Sequence, residues 1–143
     1  MNPLAFEQED FSCSNRLERR GMNMRNIPIE IKKQSIESLQ STIRKMEKAA
    51  SHMHEKQANT TLLEKRLNAC RIGLAVLESS WYNKTLDYTP VELQKAHLVL
   101  ERLLPSLTKQ YMGVTAQSPQ QTLLARRIKA VELAIQAIQD LTK

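Results

Sequence analysis

Glycine and aromatic side chains are scarce: three Gly in 143 residues, with Phe, Trp and Tyr together at 4%. A β-sandwich or barrel needs turn glycines and ring-bearing strands, so this shortage argues against a β-rich fold. Cysteine is limited to Cys13 and Cys70, isolated in unlike surroundings and without metal-ligand spacing. Cys70 sits among apolar residues and reads as a small core filler. No apolar run approaches the ~18 residues of a membrane span, and no secretory apolar region opens the chain. These absences predict a reducing, cytoplasmic setting.

Chemical motifs are missing as well. The chain holds no phosphate-cradling glycine loop, dinucleotide fingerprint, H-E-x-x-H pair or nucleophile elbow. His52 and His54 are two residues apart, which turns them to different sides of a helix. His97 has neither a small residue nor a lysine beside it to cradle a phosphoryl group, and it falls next to an apolar stripe. Glutamates are spread without the inward E-x-x-H pairs of carboxylate-bridged metal bundles. The expectation is no catalytic residue, no cofactor and no metal.

What remains is rich in Leu, Ile, Ala, Lys, Glu and Gln, the residues that favour helix. Apolar positions recur at Ile36, Leu39, Ile43, Met46, Ala50 and Met53, a stripe predicting a helix from about Pro28 to Lys56. Pro28 suits a first helical position. Thr61 and Glu64 have capping-box spacing, and a second stripe follows at Leu63, Leu67, Cys70, Leu74, Leu77 and Trp81. Thr89-Pro90-Val91-Glu92 is a third helix start, leading into Leu93, Ala96, Leu100, Leu104, Leu107 and Tyr111, with a kink expected at Pro105. Ser118-Pro119-Gln120-Gln121 repeats the capping logic before Leu124, Ile128, Val131, Ile135 and Ile138.

The two halves align. TLLEKRLNAC at Thr61–Cys70 matches TLLARRIKAV at Thr122–Val131 with an offset of 61, and the second stripe shifts onto the fourth. PIEI and PVEL start the first and third helices at an offset of 62. The fold class predicted is therefore all-α: an antiparallel four-helix bundle built from a duplicated helical hairpin. A single hairpin cannot bury its apolar face alone, whereas two can close on each other. The expected domain is residues 24–143, with hairpin 1 at 27–81, a linker at 82–88 and hairpin 2 at 89–142.

Residues 1–23 carry no sustained stripe and read as a flexible N-terminal arm. Arg19-Arg20 is also encodable as AGGAGG, a bacterial ribosome-binding sequence nine nucleotides before Met24, so translation from Met22 or Met24 is an alternative. Removing 1–23 leaves 18 Lys and Arg against 11 Asp and Glu, +7 in place of +6.

That charge is dispersed along the chain, which weakens a nucleic-acid reading. Up-and-down helices would nevertheless gather Lys65, Arg66, Arg126, Arg127, Lys109 and Lys129 at one end. Lys65, Arg66, Arg126 and Arg127 lie near helix beginnings, where cations gain nothing from the helix dipole, and they recur in both halves. They form a candidate surface for an anion or an acidic partner, beside the plain alternative of a solvated basic rim. Trp81, Tyr82 and Tyr88 form a candidate aromatic contact at the inter-repeat turn, with core capping the alternative for Trp81. The function expected is a small non-enzymatic interaction or regulatory module presenting helix faces to a protein partner, as monomer or homodimer. The alternative is a nucleic-acid or phosphate binder using the basic end.

Overall fold

The computed structural model describes residues 26–142. The N-terminal arm, the alternative starts at Met22 and Met24, and Cys13 lie outside the described residues. Four helices make up the regular structure there: α1 (Ile29–Glu55), α2 (Thr61–Tyr82), α3 (Pro90–Gly113) and α4 (Pro119–Leu141), with no strand among the described residues.

Local chemistry sets most of the helix boundaries. The Thr89 hydroxyl accepts from the Glu92 N–H at 3.2 Å while Glu92 Oε1 accepts from the Thr89 N–H at 3.0 Å, so the expected capping box forms at α3. At α4 the Ser118 hydroxyl accepts from the Gln121 N–H at 3.1 Å. Gln121 is itself buried and its side-chain oxygen accepts from the Gln117 N–H at 2.8 Å, one residue further back than a regular box. The start of α2 departs from expectation. Thr60 is its N-cap, not Thr61, and no side chain caps it. Thr60 instead gives its hydroxyl to Glu64, and the Thr61 N–H is taken by Asn59 Oδ1 at 2.9 Å, an Asx turn that competes with the predicted box. Pro28 is likewise the N-cap of α1, with Ile29 the first helical residue. Helix α3 runs through Pro105, which lies exposed. Helix α2 reaches Tyr82 and ends where Asn83 takes a left-handed conformation (φ 56°), so the connection is 83–89, one residue later than expected.

The helices pack as α1 on α2, α2 on α3, α3 on α4 and α4 on α1, with α2 also packing on α4. Helices α2 and α4 thus form the central diagonal, and α1 and α3 flank it. The burial pattern follows from that geometry. On α4 every residue from Ala130 to Ile138 is buried, including Glu132 and Gln136, because neighbours surround it. On α2, Ala69, Ile72, Gly73 and Val76 join the expected stripe in the core. Close approach along the diagonal depends on small side chains: a Cβ placed on Gly73 would lie 3.1 Å from Ala134 Cβ and 3.4 Å from Leu100 Cδ1. The flanking helices bury narrower stripes, and Ile36, Met46, Met53 and Leu104 are only half-buried. Ser35 and Thr42 are buried on α1, the Thr42 hydroxyl donating to the Ser38 carbonyl at 2.8 Å.

Candidate functional site

Two grooves lie between neighbouring helices, on opposite flanks of the bundle. One lies between α1 and α4 and encloses about 450 Å³; Arg44 and Lys45 from α1 face Leu123, Arg126 and Arg127 from α4. Its α1 wall spans Gln34 to Lys45 and includes Ser38 and Ser41, about 16 Å of helix flank at ~1.5 Å per residue. A second opening beside it, of similar volume and lined by Lys45, Gln120, Leu123 and Arg127, extends the same surface towards the α3–α4 turn. The second groove lies between α2 and α3, encloses about 340 Å³, and is lined by Lys65, Lys95 and Arg102 around Ala69, Leu98 and Val99.

The electrostatics of the first groove are one-sided. Among the described residues none of Arg44, Lys45, Arg126 and Arg127 pairs with a carboxylate, although Glu37 lines the same wall. Arg127 is half-buried and its Nε has no hydrogen-bond partner. Burial lowers its pKa from the usual guanidinium range, with Cys70 acting in the opposite direction. Cys70, fully buried on α2, has its thiol pushed up to about 11 by burial, partly offset by Arg127 and Arg66. Arg66 and Arg127 therefore both act on one point of the core.

The six cations singled out in the sequence do not share one surface. Arg126 and Arg127 line the α1–α4 groove and Lys65 lines the α2–α3 groove. Arg66 is half-buried, Lys109 is exposed on α3 away from both grooves, and Lys129 is half-buried with a partner of its own. Four groove residues went unrecognised: Arg44 and Lys45 on α1, Lys95 and Arg102 on α3. For Lys45, Lys95 and Arg102 the signal lies in helical rows beside the apolar stripes, Gln34-Ser38-Ser41-Lys45 and Lys95-Leu98-Arg102, the second interrupted by an exposed leucine.

The aromatic trio does not form a common patch. Trp81 and Tyr88 are half-buried against the core, Trp81 Nε1 being buried without a partner, and Tyr82 alone is half exposed at 50%. His97 packs between helices, with Nε2 3.1 Å from Gln139 Nε2 and Nδ1 3.3 Å from Glu101 Oε1, the latter not aligned as a hydrogen bond. No group of three His, Cys, Asp or Glu among the described residues is placed to hold a metal ion. No helix there is long and apolar enough to cross a membrane. Comparison with protein-family models, curated proteins and solved structures finds no match for this chain.

Proposed function

We propose that this chain is a non-catalytic interaction module whose α1–α4 groove takes an acidic segment of a protein partner. The observation that carries the reading is the set Arg44, Lys45, Arg126 and Arg127, four cations on one groove and none paired within the described residues. Cations left without internal partners complement carboxylates presented from outside, and guanidinium forks add bidentate geometry. Leu123, 53% exposed at the groove edge, supplies an apolar contact that suits a peptide better than a phosphate backbone. Trp81 and Tyr88 face the core, which leaves few rings for base stacking.

We further propose that the bundle consists of two antiparallel hairpins related by duplication. Two side-chain contacts support opposite directions for α1 and α2. His54 meets Glu64 at 3.4 Å and Arg71 meets Glu47 at 2.6 Å, so seven residues back along α1 match seven forward along α2. Exchanging hairpin 1 for hairpin 2 also leaves the pattern of helix packing unchanged, α2–α4 mapping onto itself. Fusion of two such hairpins supplies in one chain the partner that a lone hairpin needs.

The test is to pan a displayed library of random sixteen-residue peptides against the full chain. Enrichment of peptides combining Asp or Glu with an apolar residue is expected. Each exposed ion pair contributes ~0.2–1 kcal/mol, so Lys45→Glu with Arg126→Glu, which adds repulsion, should weaken a selected peptide about tenfold or more. Peptides without acidic residues, or equal binding to the reversed variant, would remove the reading. Ser38 and Ser41 beside three guanidinium groups favour a second reading, a phosphate ligand. Retention on DNA falling steeply with salt would select it.

A further inference from the structure

The α2–α3 groove is the counterpart of the α1–α4 groove under the same offset of 61 that aligns the two halves. Gln34, Glu37, Ser38, Ser41 and Arg126 line one; Lys95, Leu98, Val99, Arg102 and Lys65, each 61 residues away, line the other. Only the Arg126–Lys65 pair keeps its charge type. Elsewhere the second groove gains cations where the first has Gln34 and Ser41, and it loses the acid of Glu37 to Leu98. Basic character is therefore present in both places although the residues that provide it differ.

We infer that the chain is bivalent, with the α2–α3 groove taking a second acidic protein segment that carries an apolar side chain. The inference rests on the reading of the α1–α4 groove. Charge complementarity fixes the occupant's sign, since Lys65, Lys95 and Arg102 have no carboxylate partner among the described residues and no acid lines the groove. The apolar floor of Ala69, Leu98 and Val99, with Leu98 46% exposed, fixes the need for an apolar anchor between the acids. Because α2 and α4 form the central diagonal, the two grooves open on opposite flanks, and two segments would bind without touching. Two copies of one acidic motif, on one partner or on two, would then be held on either side of the bundle. Linking two such modest sites raises avidity without any new contact.

A nitrogen-15 NMR titration of the full chain with a peptide of three Glu-Glu-Leu-Glu repeats reads the grooves separately. Amide shifts are expected around Lys65, Ala69, Lys95 and Arg102 and, independently, around Ser41, Arg44, Leu123 and Arg126. Lys95 and Arg102 are exposed, so the reversal Lys95→Glu with Arg102→Glu leaves the fold intact. It should weaken the α2–α3 site about tenfold while changing the α1–α4 site less than about twofold. Shifts confined to the α1–α4 groove would overturn bivalency and leave the first reading standing. Silence at both grooves would overturn both. A duplex DNA oligonucleotide that shifts both sets more strongly than the peptide would overturn the choice of a protein partner.

Discussion

The close contact of α2 with α4 at Gly73 offers a direct measurement of how this bundle is packed. Gly73 lies mid-helix in α2, where Ala would gain about 1 kcal/mol of helix propensity over Gly. That gain is opposed by contact: the added Cβ would stand 3.1 Å from Ala134 Cβ, against an optimum of about 3.5–4.0 Å. Leu100 Cδ1, at 3.4 Å, is the end of a flexible side chain and can turn away. Ala134 Cβ is fixed to the α4 backbone, so α2 and α4 must give way at this point by a few tenths of an ångström. Overpacking of this kind costs ~1–3 kcal/mol. Gly73→Ala should therefore lower stability by about 1 kcal/mol net, near 4 °C in Tm for a domain of this size. Ala134→Gly alone should cost about 1 kcal/mol in propensity. The double variant exchanges the two residues, cancels the propensity terms and relieves the clash, so it should return to within ~0.5 kcal/mol of the parent. Urea unfolding followed by far-ultraviolet circular dichroism gives all four corners of the cycle. The coupling expected is about 2 kcal/mol, and additivity within ~0.5 kcal/mol would refute the close diagonal.

Three further outcomes follow from particular contacts. With its pKa raised to about 11 from 9.0, the Cys70 thiol should hold its proton in the fold; its contribution is complete below about pH 9 and is lost as pH rises towards about 11, up to ~3 kcal/mol. Urea midpoints compared between the parent and Cys70→Ala isolate that loss, and parallel pH profiles would contradict it. Thr89→Ala should cost about 1 kcal/mol by breaking the capping box, whereas Thr61→Ala, at an exposed first-turn position that caps nothing, should stay within ~0.5 kcal/mol. Equal losses in thermal denaturation would mean the α2 start had been misassigned. Arg127→Met should be neutral or stabilising by about 1 kcal/mol, since it removes a buried donor without a partner, while raising the Cys70 pKa further and weakening groove binding. A large loss of stability would show that the guanidinium is held in place.

Sequence reasoning reached the helices because their signals are local. The box at Thr89 and the capping serine at Ser118 are fixed by residues three apart, and the stripes of α3 and α4 by the helical period. It failed at Thr61 because Asn59 takes the Thr61 N–H and Thr60 gives its hydroxyl to Glu64, and spacing alone does not rank these bonds against a box. Core width was less legible. A stripe of one residue per turn suits a helix with two neighbours, as α1 and α3 have, but α2 and α4 have three. The buried run from Ala130 to Ile138 is a consequence of that extra neighbour and has no period of its own.

Of the cations named from the sequence, Arg126, Arg127 and Lys65 line grooves, whereas Arg66, Lys109 and Lys129 do not. Listing cations by helix end assumes that charge collects where helices stop, yet the grooves are formed along the sides, by residues flanking the buried stripe. Arg44 and Lys45 follow directly after Thr42 and Ile43, which are buried, so they emerge at the border of α1 and are brought against α4. Arg127 sits next to Ile128 in the same way and carries its guanidinium half into the core beside Cys70. A half-buried cation whose buried Nε has no partner is a cost to the fold, offset in a stable bundle by the surrounding apolar contacts. That a place so near the core holds arginine, when leucine or methionine would pack there at less cost, is the physical reason to look for a negative partner at this groove.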